Sequence, residues 1–187
     1  MLETSNPFID FMAGPSGFWL LFGLYLTMIA AERIAYAFQT RHRYDTADAR
    51  GSFFTSVLSS LISMAILAIV PIALYAWLHA EFRLMSPGFV WWTWIAAFIA
   101  HDLAYYLAHR IGHRTGFFWA IHHPHHSSEK INLTTASRGF PFGDPLQPFF
   151  IYPWALLGIP VEVIVIVTIF KNLWGIFNHT PLVGKLG

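Results

Sequence analysis

Three long runs of apolar residues constrain this chain more than any other feature. The first covers about residues 17–38, the second about 53–78 with Pro71 inside it, and the third about 88–108. Each approaches or exceeds the ~20 residues that an α-helix needs to cross the hydrocarbon core of a bilayer. A backbone in lipid must satisfy its own hydrogen bonds, so runs of this length predict helices. In a soluble domain they would need polar sequence to cover them, and little exists. Charged residues make up 11% of the chain, against about a quarter in soluble domains. The 18 Phe and 8 Trp fit the same environment, because aromatic rings gather at membrane interfaces.

Charge between the runs orients them. Arg33, Arg41, Arg43 and Arg50 cluster in the first connection, the second carries Arg83 alone, and the residues before the first run carry no Lys or Arg. By the positive-inside rule the first connection is cytoplasmic. The third run then ends on the same side, where Arg110, Arg114 and Lys130 follow. Beyond it, residues 146–157 are apolar but short for a span, and Gly158-Ile159-Pro160 interrupts them. The reading is a short re-entrant or interfacial helix over about 146–157, a turn, and a span over about 161–178 that returns His179 to the cytoplasmic face. The N-terminus has acidic residues and no cationic region, unlike a cleaved signal peptide. The predicted fold class is all-α: an integral membrane bundle of about four transmembrane helices (17–38, 53–78, 88–108, 161–178) in one domain, 1–187, with a His-rich cytoplasmic cap.

Six of the 10 histidines fall between positions 109 and 126, as HRIGH followed by HHPHH. His109 and His113 are four apart, so a helix turns both to one side. His122, His125 and His126 form an HxxHH set, with Pro124 as a helix breaker between them. The chain has no Cys, which removes disulfides, iron–sulfur clusters and thiolate-ligated haem and leaves imidazole and carboxylate as the strong metal ligands. Imidazole suits iron, zinc, copper and nickel, so the ligands alone do not name the metal. Asp102 and Tyr105 fall on the His109–His113 stripe, with Tyr106 beside it. A carboxylate so close to a membrane is costly. Either it accepts a proton from a ligating imidazole, or it pairs with Arg110 or a tyrosine hydroxyl. His101 reads as a packed or interfacial residue, His42 and His79 as loop residues, and His123 as ligand or bystander alike.

The segments HDLAYYLAHRIGH and WAIHHPHHSSEKINLTTASR, spanning roughly Asp102–Arg138, resemble the fatty acid hydroxylase/sterol desaturase superfamily, with a weaker echo in FNHT at Phe177–Thr180. The HHSSE-x-x-N-x-T-T-A form is closest to its sterol desaturase-like and alkylglycerol monooxygenase-like branch. The resemblance implies a membrane-bound non-haem enzyme with two Fe ions that uses O2 and two electrons to hydroxylate or desaturate a lipid C–H bond. It assigns His109, His113, His122, His125, His126 and His179 as metal ligands. It places Asp102, Tyr106, Glu129 and Asn132, with Ser127, around the reaction site. The implied partners are a lipid substrate (sterol, fatty acyl or ether lipid), the bilayer, and an electron donor that is a cytochrome b5-like or ferredoxin-like protein or a reduced pterin. The implied location is a bacterial inner membrane or the endoplasmic reticulum membrane.

The family carries a further HxxHH box beyond the position of His179, whereas this sequence ends at Gly187. The expectation is a chain truncated before that box, with weak or mononuclear metal binding and little turnover. The alternative is a catalytically incomplete fragment or a non-redox membrane metal-binding protein. Transporters place ligands near the bilayer midplane on facing helices, whereas these lie at a helix end and in the next loop. A b-type cytochrome leaves the HxxHH set unexplained, and HRIGH lacks the glutamate of a zinc protease's HExxH. A net charge of +1 offers nothing for nucleic acid.

Overall fold

The computed structural model describes residues 15–38, 44–66, 69–139 and 146–182, together with Pro7 and Phe11. Their regular structure is all helix, with no strand among the described residues. The helices are α1 (Pro15–Phe38), α2 (Thr46–Ile66), α3 (Ile69–Phe82), α4 (Trp91–Arg114), α5 (Gly116–His122), α6 (Leu133–Ala136), α7 (Gln147–Leu156) and α8 (Val161–Phe177), with a 3₁₀ turn over His123–His126. Arg41, His42, Arg43, the acidic N-terminal residues and the last five residues lie outside the described set.

The chain divides into two units, residues 1–44 with 180–187 and residues 45–179. In the first, α1 is the one described helix long and apolar enough to cross a membrane by length and composition. The Arg33 guanidinium lies 4.5 Å over the Tyr44 ring, and Tyr36 meets that ring edge-on at 5.2 Å.

Residues 45–179 follow the expected helices with shifted boundaries, each shift having a local cause. The second apolar run is described as two helices. α2 starts at Thr46, well before the run, because the Asp45 carboxylate accepts the N–H groups of Ala47 and Asp48, each at 3.0 Å. Those donors have no partner inside the helix, so a capping carboxylate sets the start. Pro71, expected as a kink, lies in the first turn of α3, where its missing N–H costs nothing. α4 starts after Gly88, a left-handed residue at φ 67°, and Thr93 Oγ1 donates to the Val90 carbonyl at 2.6 Å. It runs past the expected end at 108 to Arg114, where Thr115 turns extended at φ −129°, ψ 134°. Both HRIGH histidines are therefore helical.

The buried face of α4 is Ala97, Ala100, His101, Ala104, Ala108 and Gly112, with Thr93 at its start. Small side chains let helices approach closely, and α5, α7 and α8 all pack on α4. The core forms where α3, α4, α7 and α8 meet, around Tyr75, Ala97, Ala155, Ile159, Val163, Ile164 and Val167. Gly158 makes the turn from α7 into α8 at φ 77°, and a Cβ there would sit 1.9 Å from the Met85 carbonyl oxygen. Only glycine fits. Tyr75 donates its hydroxyl to the Ile159 carbonyl at 3.0 Å, and Leu84 N–H donates to the Leu156 carbonyl at 2.7 Å. Anchored there, α8 runs back to end beside the histidine cluster.

Candidate metal centre

The last turns of α4 put His109 and His113 side by side, with Nε2 atoms 3.1 Å apart. The extended Thr115 reverses the chain, so α5 folds back against the end of α4. His122, the last residue of α5, then lies over Gly112, where an added Cβ would come within 3.3 Å of the His122 Cγ. That glycine lets the ring reach within 4.5 Å of His109 and 4.9 Å of His113, centroid to centroid. Pro124 sits in the first turn of the 3₁₀ segment, and the tightened backbone brings His126 Nε2 to 3.0 Å from His122 Nε2.

The ligand atoms of His109, His113, His122 and His126 all lie within 4.8 Å of one another. Two nitrogens bound to one ion at about 2.1 Å are about 3.0 Å apart at a right angle and at most about 4.2 Å apart when opposite. The 3.0 and 3.1 Å pairs already match ligands sharing an ion, and the remaining pairs close in from at most 4.8 Å when an ion binds. The donor set fits a borderline metal such as iron or zinc.

His125 and His179 form a second pair, with ring centroids 5.3 Å apart. His125 Nδ1–H donates to the Arg138 carbonyl at 3.1 Å and His179 Nδ1–H to the Gly175 carbonyl at 2.7 Å. A carbonyl oxygen only accepts, so each ring holds its proton on Nδ1 and keeps the Nε2 lone pair free. A ligating histidine needs that tautomer. The His125 ring also lies 5.0 Å from His126, so the pair adjoins the tetrad.

Burial first, and then the neighbouring imidazoles, push the pKa values of His122 and His126 down to about 4. Burial also lowers His125, against an opposing pull from its bond to the Arg138 carbonyl. These rings are neutral at physiological pH, the form that binds metal. Trp119 closes one side, with ring centroids 5.4 Å from His113 and 5.8 Å from His126. Beside it a cleft of about 360 Å³ opens between His113, Arg114, Thr115, Gly116 and Trp119.

The other expected site residues are not members of the tetrad. Asp102 takes Lys171 of α8 as its partner, in place of the imidazole, arginine or tyrosine considered from sequence. Tyr105 lies beside His109, with tilted rings 5.4 Å apart. Tyr106 is exposed and accepts a 2.6 Å hydrogen bond from Arg110 Nη1. Glu129 is exposed. Asn132 is buried and caps α6, its Oδ1 accepting the Thr134 N–H at 2.9 Å. His101 is buried and accepts from Gln147 at 3.2 Å, and His123 packs on Trp119 at 5.4 Å. Sequence reasoning missed Gly112 and Trp119. The glycine had a signal, being a helix-weakening residue between two ligand candidates.

The fatty acid hydroxylase family matches residues 94–186. Alkylglycerol monooxygenase of Homo sapiens is 36% identical over 141 residues, covering 75% of this chain and 31% of that protein. The Caenorhabditis elegans alkylglycerol monooxygenase is 29% identical over 194 residues, covering 100% of this chain and 36% of that protein. The Xenopus tropicalis protein of the same name is 35% identical over 119 residues, 63% of this chain and 26% of its own length. The chain thus spans about a third of the curated relatives it matches. No solved structure matches it. With the histidine order of the motif, the helical fold and the family match in agreement, the chain belongs to the fatty acid hydroxylase superfamily.

Proposed function

We propose that this chain builds the histidine-box centre of a membrane-bound non-haem di-iron oxygenase, in the alkylglycerol monooxygenase-like branch, acting on a lipid C–H bond. The observation that carries this reading is the tetrad of His109, His113, His122 and His126, whose ligand atoms lie within 4.8 Å of one another. His109, His113, His122 and His126 would hold one iron, and His125 with His179 would contribute to the second. Iron held there supplies O2 activation and oxidation of the C–H bond, with two electrons from a donor protein or a reduced pterin. The chain's own contribution is placement. Backbone carbonyls fix two tautomers, low pKa values keep rings unprotonated, and Trp119 keeps water off one side of the tetrad. Glu129, Asp102, Tyr106 and Asn132 act in this reading through position around the cap.

Membrane seating is supported by apolar side chains facing outward. Leu58 and Leu61 of α2, Trp77 of α3, Ile95, Ile99 and Leu103 of α4 and Phe170 of α8 are all exposed. Exposed large apolar side chains in such number on four helices favour a lipid or partner contact. In this reading α1, α2–α3, α4 and α8 span the bilayer and the histidines face the cytoplasm. An alkyl chain enters from the lipid while the metals stay open to a reductant. The names of the relatives make alkylglycerols the first substrate class, ahead of sterols and fatty acyl chains.

The test is anaerobic Fe(II) loading of detergent-solubilised protein, followed by O2, a reductant and an alkylglycerol in bicelles. Weak binding of about one iron per chain with little oxidised lipid is the expectation for these residues, and about two irons per chain with an O2-dependent oxidised lipid would show that they suffice. A protein that binds one zinc and forms no product would instead be the non-redox metal binder. Iron retention that survives replacing the tetrad with alanine would sink the assignment.

A further inference from the structure

α2 lies outside residues 94–186, where the family match falls, yet it touches the segment that follows the histidine cluster. Asp48, Ser52, Ser56 and Ser59 recur on one helical face, and the three serines are buried. Against this face, Ser128 donates to Asp48 Oδ2 at 2.6 Å and Arg138 Nη1 lies 3.9 Å from Asp48 Oδ1. Ser137 donates to Ser56 Oγ at 2.8 Å, and Ser59 donates to the Gly139 carbonyl at 3.2 Å. A single carboxylate thus holds both ends of residues 128–138. The carbonyl of Arg138, at the far end, accepts the His125 Nδ1–H at 3.1 Å.

The energetics make Asp48 more than one contact among several. Arg138 Nη1 is buried and makes no hydrogen bond among the described residues. The Asp48 charge compensates it. Both side chains are half-buried, and removing the carboxylate leaves the buried Nη1 without a compensating charge. The guanidinium would then move toward water and carry its backbone, including the carbonyl that orients His125.

We propose that Asp48 is a positioning residue for the metal centre, holding residues 128–138 so that the Arg138 carbonyl keeps His125 in the Nδ1–H tautomer with Nε2 free for the ion. This rests on the metal-centre reading above. It assigns a helix outside the histidine motifs a direct influence on metal affinity.

The experiment uses the full chain in detergent micelles with two readouts. In apo-protein labelled with 15N-histidine, the His125 signals report its tautomer. Wild type should show Nδ1–H alone, and Asp48→Asn should show a mixture. Titration with Co2+ alone should show about 10–100-fold weaker binding for Asp48→Asn, the usual loss when a ligand's outer partner goes. In a His125→Ala background, Asp48→Asn should cause no further loss, because the ligand it orients is already gone. Ser128→Ala, which leaves the ion pair in place, should move both readouts in the same direction by less, and it tests the idea should Asp48→Asn fold poorly. An unchanged tautomer in Asp48→Asn, or an equal Co2+ loss with and without His125, would overturn the proposal. A tautomer that is fixed in wild type and released in Asp48→Asn, in a protein that takes up no Co2+, would uphold the positioning role and overturn the metal-centre reading.

Discussion

Replacing Gly112 with alanine should separate metal affinity from stability. A Cβ at this position would lie 3.3 Å from His122 Cγ and 3.4 Å from His122 Cβ. Comfortable carbon–carbon contact is about 3.5–4.0 Å, so His122 must retreat by about 0.2–0.7 Å. These atoms are the root of the side chain, so rotation about χ2 relieves nothing and α5 itself has to move. Metal–ligand distances tolerate only about ±0.2 Å. The expected result is Co2+ binding weakened about 10–100-fold, or about 1.4–2.7 kcal/mol. Apo-protein stability should change little. Alanine strengthens a helix interior by about 0.5–1 kcal/mol relative to glycine, which offsets part of the ~1–3 kcal/mol of overpacking. In a His122→Ala background the Cγ contact disappears and only the marginal 3.4 Å Cβ contact remains, so Gly112→Ala should stabilise the apo-protein by up to about 1 kcal/mol. Co2+ titration and thermal unfolding of the four proteins give both quantities. Wild-type Co2+ affinity in Gly112→Ala would refute the reasoning, because the ring would then not depend on that close approach.

Three further outcomes are expected. His122 and His126 have folded pKa values of about 4, below the ordinary 6.5 or so of the unfolded chain. The unfolded state therefore binds more protons between about pH 4 and 6.5, and these groups make the apo-protein less stable as pH falls through that window. Histidine NMR, with signals assigned through His122→Gln and His126→Gln, should show both titrating near 4, and midpoints near 6.5 would contradict the packed cluster. Gly158→Ala meets both the left-handed φ of 77° and the Met85 oxygen at 1.9 Å, so a loss of about 2–4 kcal/mol is expected in denaturant unfolding. An unchanged midpoint would mean that the α7–α8 turn differs. Ala104→Leu, at a fully buried position on the small-residue face of α4, should cost about 1–3 kcal/mol, and a neutral result in the same assay would mean that neighbouring helices do not press on it.

Local patterns made much of this protein legible. The apolar runs determined that the chain is helical, because a segment that long without charge has few other ways to satisfy its backbone. Spacing alone placed His109 and His113 on one helical face, and Pro124 marked where α5 gives way to a tighter turn. These features concern residues within a few positions of one another, where the period of the helix converts sequence distance directly into spatial distance. Helix starts were less legible. Asp45 begins α2 with two hydrogen bonds, and hydropathy does not register a cap.

What only the tertiary structure decided is which distant groups meet. Asp102 and Lys171 sit 69 positions apart and neutralise each other across α4 and α8, a pairing that no local pattern marks. His125 and His179 become neighbours because the Gly158 turn sets the course of α8. Asp48 reaches the far end of the histidine loop through a carboxylate whose sequence context looks like any helix first turn. Sequence determines local geometry through the fixed pitch of a helix. Pairing between helices depends on how their faces pack, and that is a property of the folded chain alone.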